Sequence, residues 1–223
     1  MAFPSVSSII STLIDTATTS HSINISAGSG ELALVFFSCN DDTIDIGIDS
    51  GVGSNWFIGP SYQQDTNKTV NIAYKLATGT SEDNLTLTTD FSVKSCAISY
   101  AIKDCGNLAF QYVYHSSSGT NMNPPSLTPE LSNADYLWLV MGTAYGSVIA
   151  TAAPTDFSNL RTIEGSSDGV SMSCAERQLT RGKLAYDPDA FTSASSTWMA
   201  YTVVIPPPES TGISINLIAY YDE

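Results

Sequence analysis

Glu31-Leu32-Ala33-Leu34-Val35-Phe36-Phe37 and Asp135-Tyr136-Leu137-Trp138-Leu139-Val140-Met141 are the two stretches that decide the fold. In each, an acidic residue leads into an uninterrupted apolar run. Runs this short, bounded by turn residues, read as strands buried in a core. The segments after the two openers are also alike. The first leads through Trp56 to Val70–Thr78, then to Leu85–Thr89, and closes on Cys96–Ile102. The second leads through Phe157 to Val170–Thr180, then to Phe191–Ser193, and closes on Trp198–Ile205. Leu32 and Ala97 are 65 residues apart, and Leu137 and Trp198 are 61 apart. The chain therefore reads as two similar four-stranded units.

The rest of the sequence has the same period of two. Ser22-Ile23-Asn24-Ile25-Ser26 and Asn84-Leu85-Thr86-Leu87-Thr88 alternate strictly, the pattern of half-buried strands. Gly28-Ser29-Gly30, Gly51-Val52-Gly53, Gly79-Thr80-Ser81 and Gly165 to Gly169 supply turns. No long stretch carries a helical stripe; at most a turn near Ser132–Asp135 or Asp187–Ala190 is helical. The expectation is an all-β chain: a single eight-stranded jelly-roll β-sandwich over residues 21–206, its Ser/Thr faces outward. Residues 1–20 read as an N-terminal arm. Pro206-Pro207-Pro208 stops the last core strand, and 207–223 reads as a Pro-linked β tail that packs on its own sandwich or on a neighbouring subunit.

The chain has 223 residues and a formal net charge of −14, yet only 13% of its residues are charged. Ser and Thr, 55 together, take up the difference. So acidic a chain is a poor partner for nucleic-acid phosphates or an anionic membrane surface. A hydrophobic content of 43% argues against disorder. Met1–Ser5 lacks the basic and apolar regions of a secretory signal, and no apolar run approaches a membrane span.

Residues with chemical potential are few. His21 and His115 are the two histidines, and no G-x-S-x-G elbow accompanies them. Asp41, Asp42, Asp45 and Asp49 are the densest carboxylates; they alternate like a strand edge, lack the ligand order of a calcium loop and read first as a solvated acidic loop. Calcium coordination and a carboxylate pair for glycoside hydrolysis are the alternatives they leave open. Glu176, Arg177, Arg181 and Lys183 read as a local ion-pair network rather than an anion site. Cys39, Cys96, Cys105 and Cys174 have neither zinc nor disulfide spacing and read as buried free thiols. Trp56, Trp138 and Trp198 read as core or near-core. No catalytic, cofactor-binding or metal-ligating residue is assigned.

Several segments carry a resemblance. They are His21–Ile25, Gly30–Val35, Ala73–Thr80, Ala175-Glu176-Arg177, Asp187–Thr192 and Trp198–Thr202. Together the pattern over residues 20–206 resembles bacteriophage virion proteins with jelly-roll folds, either capsid decoration (cement) proteins or tail and fibre components. The resemblance implies a non-enzymatic structural protein on the capsid surface of a virion. Its expected partners are the major capsid protein and itself, as a homotrimer, with no nucleic acid and no membrane. The alternative it leaves open is a tail-fibre or receptor-binding module for host glycans.

Overall fold

The computed structural model describes residues 2–41, 45–49, 55–64, 68–78, 82–105, 110–131, 134–208 and 218–221, with backbone alone for 82, 83 and 218–221. It is an all-β sandwich. The first half builds one sheet, here sheet A. Its strands are β1 (Ser5–Ala27), β2 (Leu32–Cys39), β3 (Ile46–Ile48), β4 (Phe57–Ile58), β5 (Tyr62–Gln64), β6 (Lys68–Leu76) and β7 (Glu82–Lys103). The second half builds sheet B from β8 (Gln111–Gly119), β9 (Ala134–Tyr145), β11 (Ser158–Ile163), β12 (Val170–Arg181), β14 (Ser196–Ile205) and β15 (Ile218–Tyr221). The small strands β10 (Ala150–Ala152) and β13 (Thr192–Ser193) pair with each other.

Sheet A runs β1-β7-β2-β6-β4, and sheet B runs β11-β12-β9-β14-β8-β15. Counting the four main strands of each half, both sheets read first-fourth-second-third: β1-β7-β2-β6 and β8-β14-β9-β12. The openers β2 and β9 are central, each flanked by its own closer, β7 or β14. This corrects the expected strand plan. A Greek key has the order fourth-first-second-third. Here the closing strand lies between the first and second, and each half keeps its strands in its own sheet. The described residues also form fifteen strands rather than eight.

The second correction concerns the N-terminal arm. Residues 5–20 are the first two-thirds of β1, an integral strand paired with β7 from Ser5↔Lys103 to Ala27↔Glu82. That register forces the ribbon to bend double. Ala27 is only five residues from Leu32, yet Leu32 pairs with Ile102, at the opposite end of β7 from Glu82. Both ends of β7 must therefore meet at one end of β2. The register shifts between Ile14, Thr18 and Ser20 mark the bend, where irregular pairing lets a strand turn sharply. The returning halves of β1 and β7, with β3 added at Ile46↔Thr89, form a third layer over the outer face of sheet A.

This layer explains the opener sequence. Leu32, Leu34 and Phe36 face sheet B, while Ala33, Val35, Phe37 and Cys39 face Ile23, Ile25, Leu85 and Leu87 of the returning ribbon. A strand buried on both faces loses its alternation and reads as continuously apolar. Sheet B repeats the device. Leu137, Leu139 and Met141 point into the sandwich. Tyr136, Trp138 and Val140 point outward, under a cover that includes Met122, Leu127, Phe157 and Phe191. Each large apolar side chain so buried contributes roughly 1.5–3 kcal/mol.

Beyond Pro206-Pro207-Pro208, residues 218–221 add to their own sheet B as β15, parallel to β8. Of the acidic stretch 41–49, residues 42–44 lie outside the described residues, as do the turns at Gly51–Gly53 and Gly79–Ser81 and most of the tail.

Candidate functional site

The polar residues with chemical potential gather in three places. The first lies where the bend of β1 and β7 meets the 164–169 loop of sheet B. Lys94 Nζ donates to Asp168 Oδ1 at 2.6 Å and to Ser166 Oγ at 2.9 Å, and lies 3.8 Å from Asp15 Oδ1. Ser166 Oγ is 2.6 Å from Asp15 Oδ1 and 2.8 Å from Asp168 Oδ1, so its single proton is shared between two carboxylates. Asn40 completes the group: its Nδ2 donates to the Asp168 carbonyl at 2.7 Å, and its Oδ1 accepts from the Lys94 amide at 2.8 Å.

A serine beside a lysine invites comparison with a Ser-Lys catalytic pair, which needs a neutral amine as base. The electrostatics here run the other way. The Asp168 hydrogen bond raises the Lys94 pKa above its ordinary value. The bond from Lys94 lowers that of Asp168, and the bond from Ser166 lowers that of Asp15. Lys94 stays charged and cannot take the Ser166 proton. The cluster is a clasp between the ribbon bend and sheet B. Sequence reading missed it because its members span residues 15 to 168 and share no motif.

The second place is the bend itself. His21 is fully buried. Its Nδ1 lies 2.8 Å from Ser95 Oγ and its Nε2 lies 3.0 Å from Thr89 Oγ1, while its ring meets Phe37 edge-on at 5.3 Å. Thr89 precedes the bend of β7 and Ser95 comes after it, so one imidazole ties the two arms together. Burial lowers its pKa from 6.5 to about 4, which keeps the ring neutral. His115 instead lies on β8, its ring 5.7 Å from that of Trp198. The two histidines are not brought together.

The third place is the outer face of sheet B. Arg177 and Arg181 both approach the Tyr186 ring, at 5.3 and 5.4 Å from its centroid. Arg177 also donates to the Tyr186 hydroxyl and pairs with Asp156 at 3.2 Å. Arg181 donates to the Ala185 carbonyl at 2.6 Å. Tyr186 sits edge-on against Trp138 at 5.1 Å. The cations therefore anchor the 182–191 loop over the sheet. Glu176 accepts from Asn159, and burial raises its pKa.

The remaining candidates take structural places too. Asp45 and Asp49 are exposed on either side of β3, and the Asp41 carbonyl accepts from Thr69 Oγ1 at 2.6 Å. Among the described residues no three His, Cys, Asp or Glu side chains are grouped to hold a metal ion. Cys39, Cys96 and Cys174 are buried free thiols, and Cys105 is half-buried. Trp138 and Trp198 are core, and Trp56 is half-buried against the ribbon layer. One further group was not read from the sequence. Lys68 is buried, its Nζ donating to the Thr143 and Thr197 carbonyls at 3.1 and 3.2 Å.

Comparison with protein-family models, with curated proteins and with solved structures returns no match.

Proposed function

We propose that this chain is a non-enzymatic virion structural protein, a decoration (cement) subunit on the outer surface of a phage capsid that contacts the major capsid protein and its own copies. The observation that carries the reading is that two of the four exposed large apolar side chains among the described residues lie at the two edges of sheet A, while Phe91 and Leu184 stand on the bend of β7 and in the 182–191 loop. Leu13, 45% exposed, lies on β1 at one edge of sheet A; Phe57, 47% exposed, lies on β4 at the other. A subunit that tiles a shell needs adhesive flanks on a rigid body, and here the central strands β2 and β9 are buried on both faces. The polar groups add support, since His21, Lys94 and Arg177 are committed to holding ribbon and loops in place. The charge of −14 fits the outer side of a shell, away from packaged DNA.

The test is to add purified protein to mature capsids that lack it. Stoichiometric binding and a raised capsid melting temperature are expected. Capsids that neither bind it nor gain heat resistance would remove the reading. Saturable binding to host polysaccharide in place of capsid would install the tail-fibre alternative.

A further inference from the structure

Strand β15 is a small addition to a large sheet. It contributes four residues, pairs with β8 alone and runs parallel, the weaker of the two ladder types. Its tether is long for the gap it crosses. Val204 of β14 and Ile218 of β15 pair with the same residue, Gln111, from opposite sides of β8. They are two strand spacings apart, about 10 Å. Residues 206–217 lie between the two strands, twelve in all, and an extended segment of that length reaches about 40 Å. The same tether can deliver residues 218–221 to the β8 edge of an adjacent subunit.

The surroundings of that edge favour a second copy as the donor. Exposed Phe57 stacks on Tyr74 at 5.4 Å, and Tyr74 meets Phe110 edge-on at 5.0 Å. Phe110 immediately precedes Gln111, where the β15 ladder begins. The edge that receives the tail is thus continuous with an apolar side chain that the closed subunit leaves half in water. A tail arriving from a neighbour brings that neighbour's body to the same flank.

We propose that in the assembled protein the outer edge of β8 is occupied by residues 218–221 of a second copy of this chain. The ladder is identical whether the strand comes from the same chain or another, so exchange gains or loses no β8–β15 hydrogen bond. What opposes it is the effective concentration of a strand tethered by twelve residues, of about millimolar order for a short tether. Subunits crowded on a shell meet that concentration, and covering Phe57 then tips the balance. The proposal deepens the self-association part of the function proposed above.

The experiment places Val113→Cys and Tyr220→Cys, which are paired positions, in a full-length Cys105→Ser chain. The protein is oxidised at about millimolar concentration, the range set by tether strength, and run on a non-reducing gel. Covalent oligomers are expected, and mixing the two single-cysteine chains should give a cross-linked heterodimer. A double-cysteine chain that closes only on itself overturns the proposal. Light scattering guards against a folding defect of the variants: at the same concentration the unmodified chain should be oligomeric and a chain lacking 207–223 monomeric. An oligomer that survives the deletion, or a full chain that is already monomeric, also overturns it. The two proposals fail separately. Capsid binding without interchain links removes strand exchange alone, and interchain links without capsid binding remove the decoration role alone.

Discussion

Thr89 Oγ1 lies 3.0 Å from His21 Nε2, and its own proton is committed to the Phe91 carbonyl at 2.8 Å. Thr89 can therefore only accept from His21. This assigns the proton of the neutral ring to Nε2 and leaves Nδ1 to accept from Ser95 Oγ at 2.8 Å. A buried ring with both nitrogens satisfied, holding both arms of β7, should be a point on which the ribbon layer depends.

Replacing His21 with Ala should cost about 2–4 kcal/mol, because it opens a cavity and leaves the Ser95 and Thr89 hydroxyls short of partners. Equilibrium urea unfolding measures this. A loss under about 0.5 kcal/mol, the usual size of a neutral surface change, would show that the pair carries no stability.

The same residue sets a pH dependence. The native ring takes up its proton only near pH 4, whereas in the unfolded chain it does so near 6.5. Between those values the unfolded state binds more protons, so stability is complete above 6.5 and falls as pH drops toward 4. The full difference is roughly 3 kcal/mol. Unfolding measured across this window should lose, in His21→Asn, the part of the slope in which stability falls toward pH 4, leaving the opposite contribution of Glu176, whose pKa burial raises from 4.5. Asp15 and Asp168, whose pKa values are lowered from 3.8, place their own loss below this window.

Gly142 lies in the middle of β9. A Cβ there would stand 2.8 Å from Met122 Sδ and 3.2 Å from its Cβ. Met122 is buried and its carbonyl accepts from the Phe191 amide, so it has little room to retreat. Gly142→Ala should destabilise by about 1–3 kcal/mol through overpacking. Adding Met122→Ala should recover part of that loss, a non-additivity that a double-mutant cycle reads directly.

Tyr186 carries two guanidinium contacts, one hydrogen bond and a ring contact with Trp138. Tyr186→Phe keeps the rings and should cost about 1 kcal/mol for the lost hydrogen bond. Tyr186→Ala should cost about 3 kcal/mol and raise hydrogen exchange at the Leu127 and Tyr186 amides, which bond each other's carbonyls. Unchanged exchange there would mean that the ring does not hold the loop.

Thiol reactivity offers an independent check on the layers. Burial pushes the Cys39 thiol up to about 12, and those of Cys96 and Cys174 higher still. Since the thiolate is the reactive form, a native sample titrated at pH 8 with an aromatic disulfide should release at most one fast equivalent, from half-buried Cys105. Four should appear in denaturant.

The sequence by itself determined that the chain is all-β, because a period of two is a property of neighbouring residues. It also marked Leu32–Phe37 and Leu137–Met141 as core strands from their continuous apolar runs, but it expected each sheet to bury one face and turn the other outward. It grouped Glu176, Arg177, Arg181 and Lys183 as one local ion-pair network, whereas Arg177 pairs with Asp156 of the preceding hairpin, Glu176 accepts from Asn159, and only the Arg181 bond to the Ala185 carbonyl is local. Only the tertiary structure decided what covers those strands. Period two tells which residues share a face, but not which strand pairs with which. Nor does it say that β1 and β7 bend back on sheet A. That bend results from a short connection, Ala27 to Leu32, acting on a register set 70 residues away by β7, and no local pattern encodes such a closure. For the same reason the Lys94 clasp and the place of β15 beside Gln111 were invisible. Each joins groups whose affinity is a matter of distance in space, which the chain settles only once its strands are ordered.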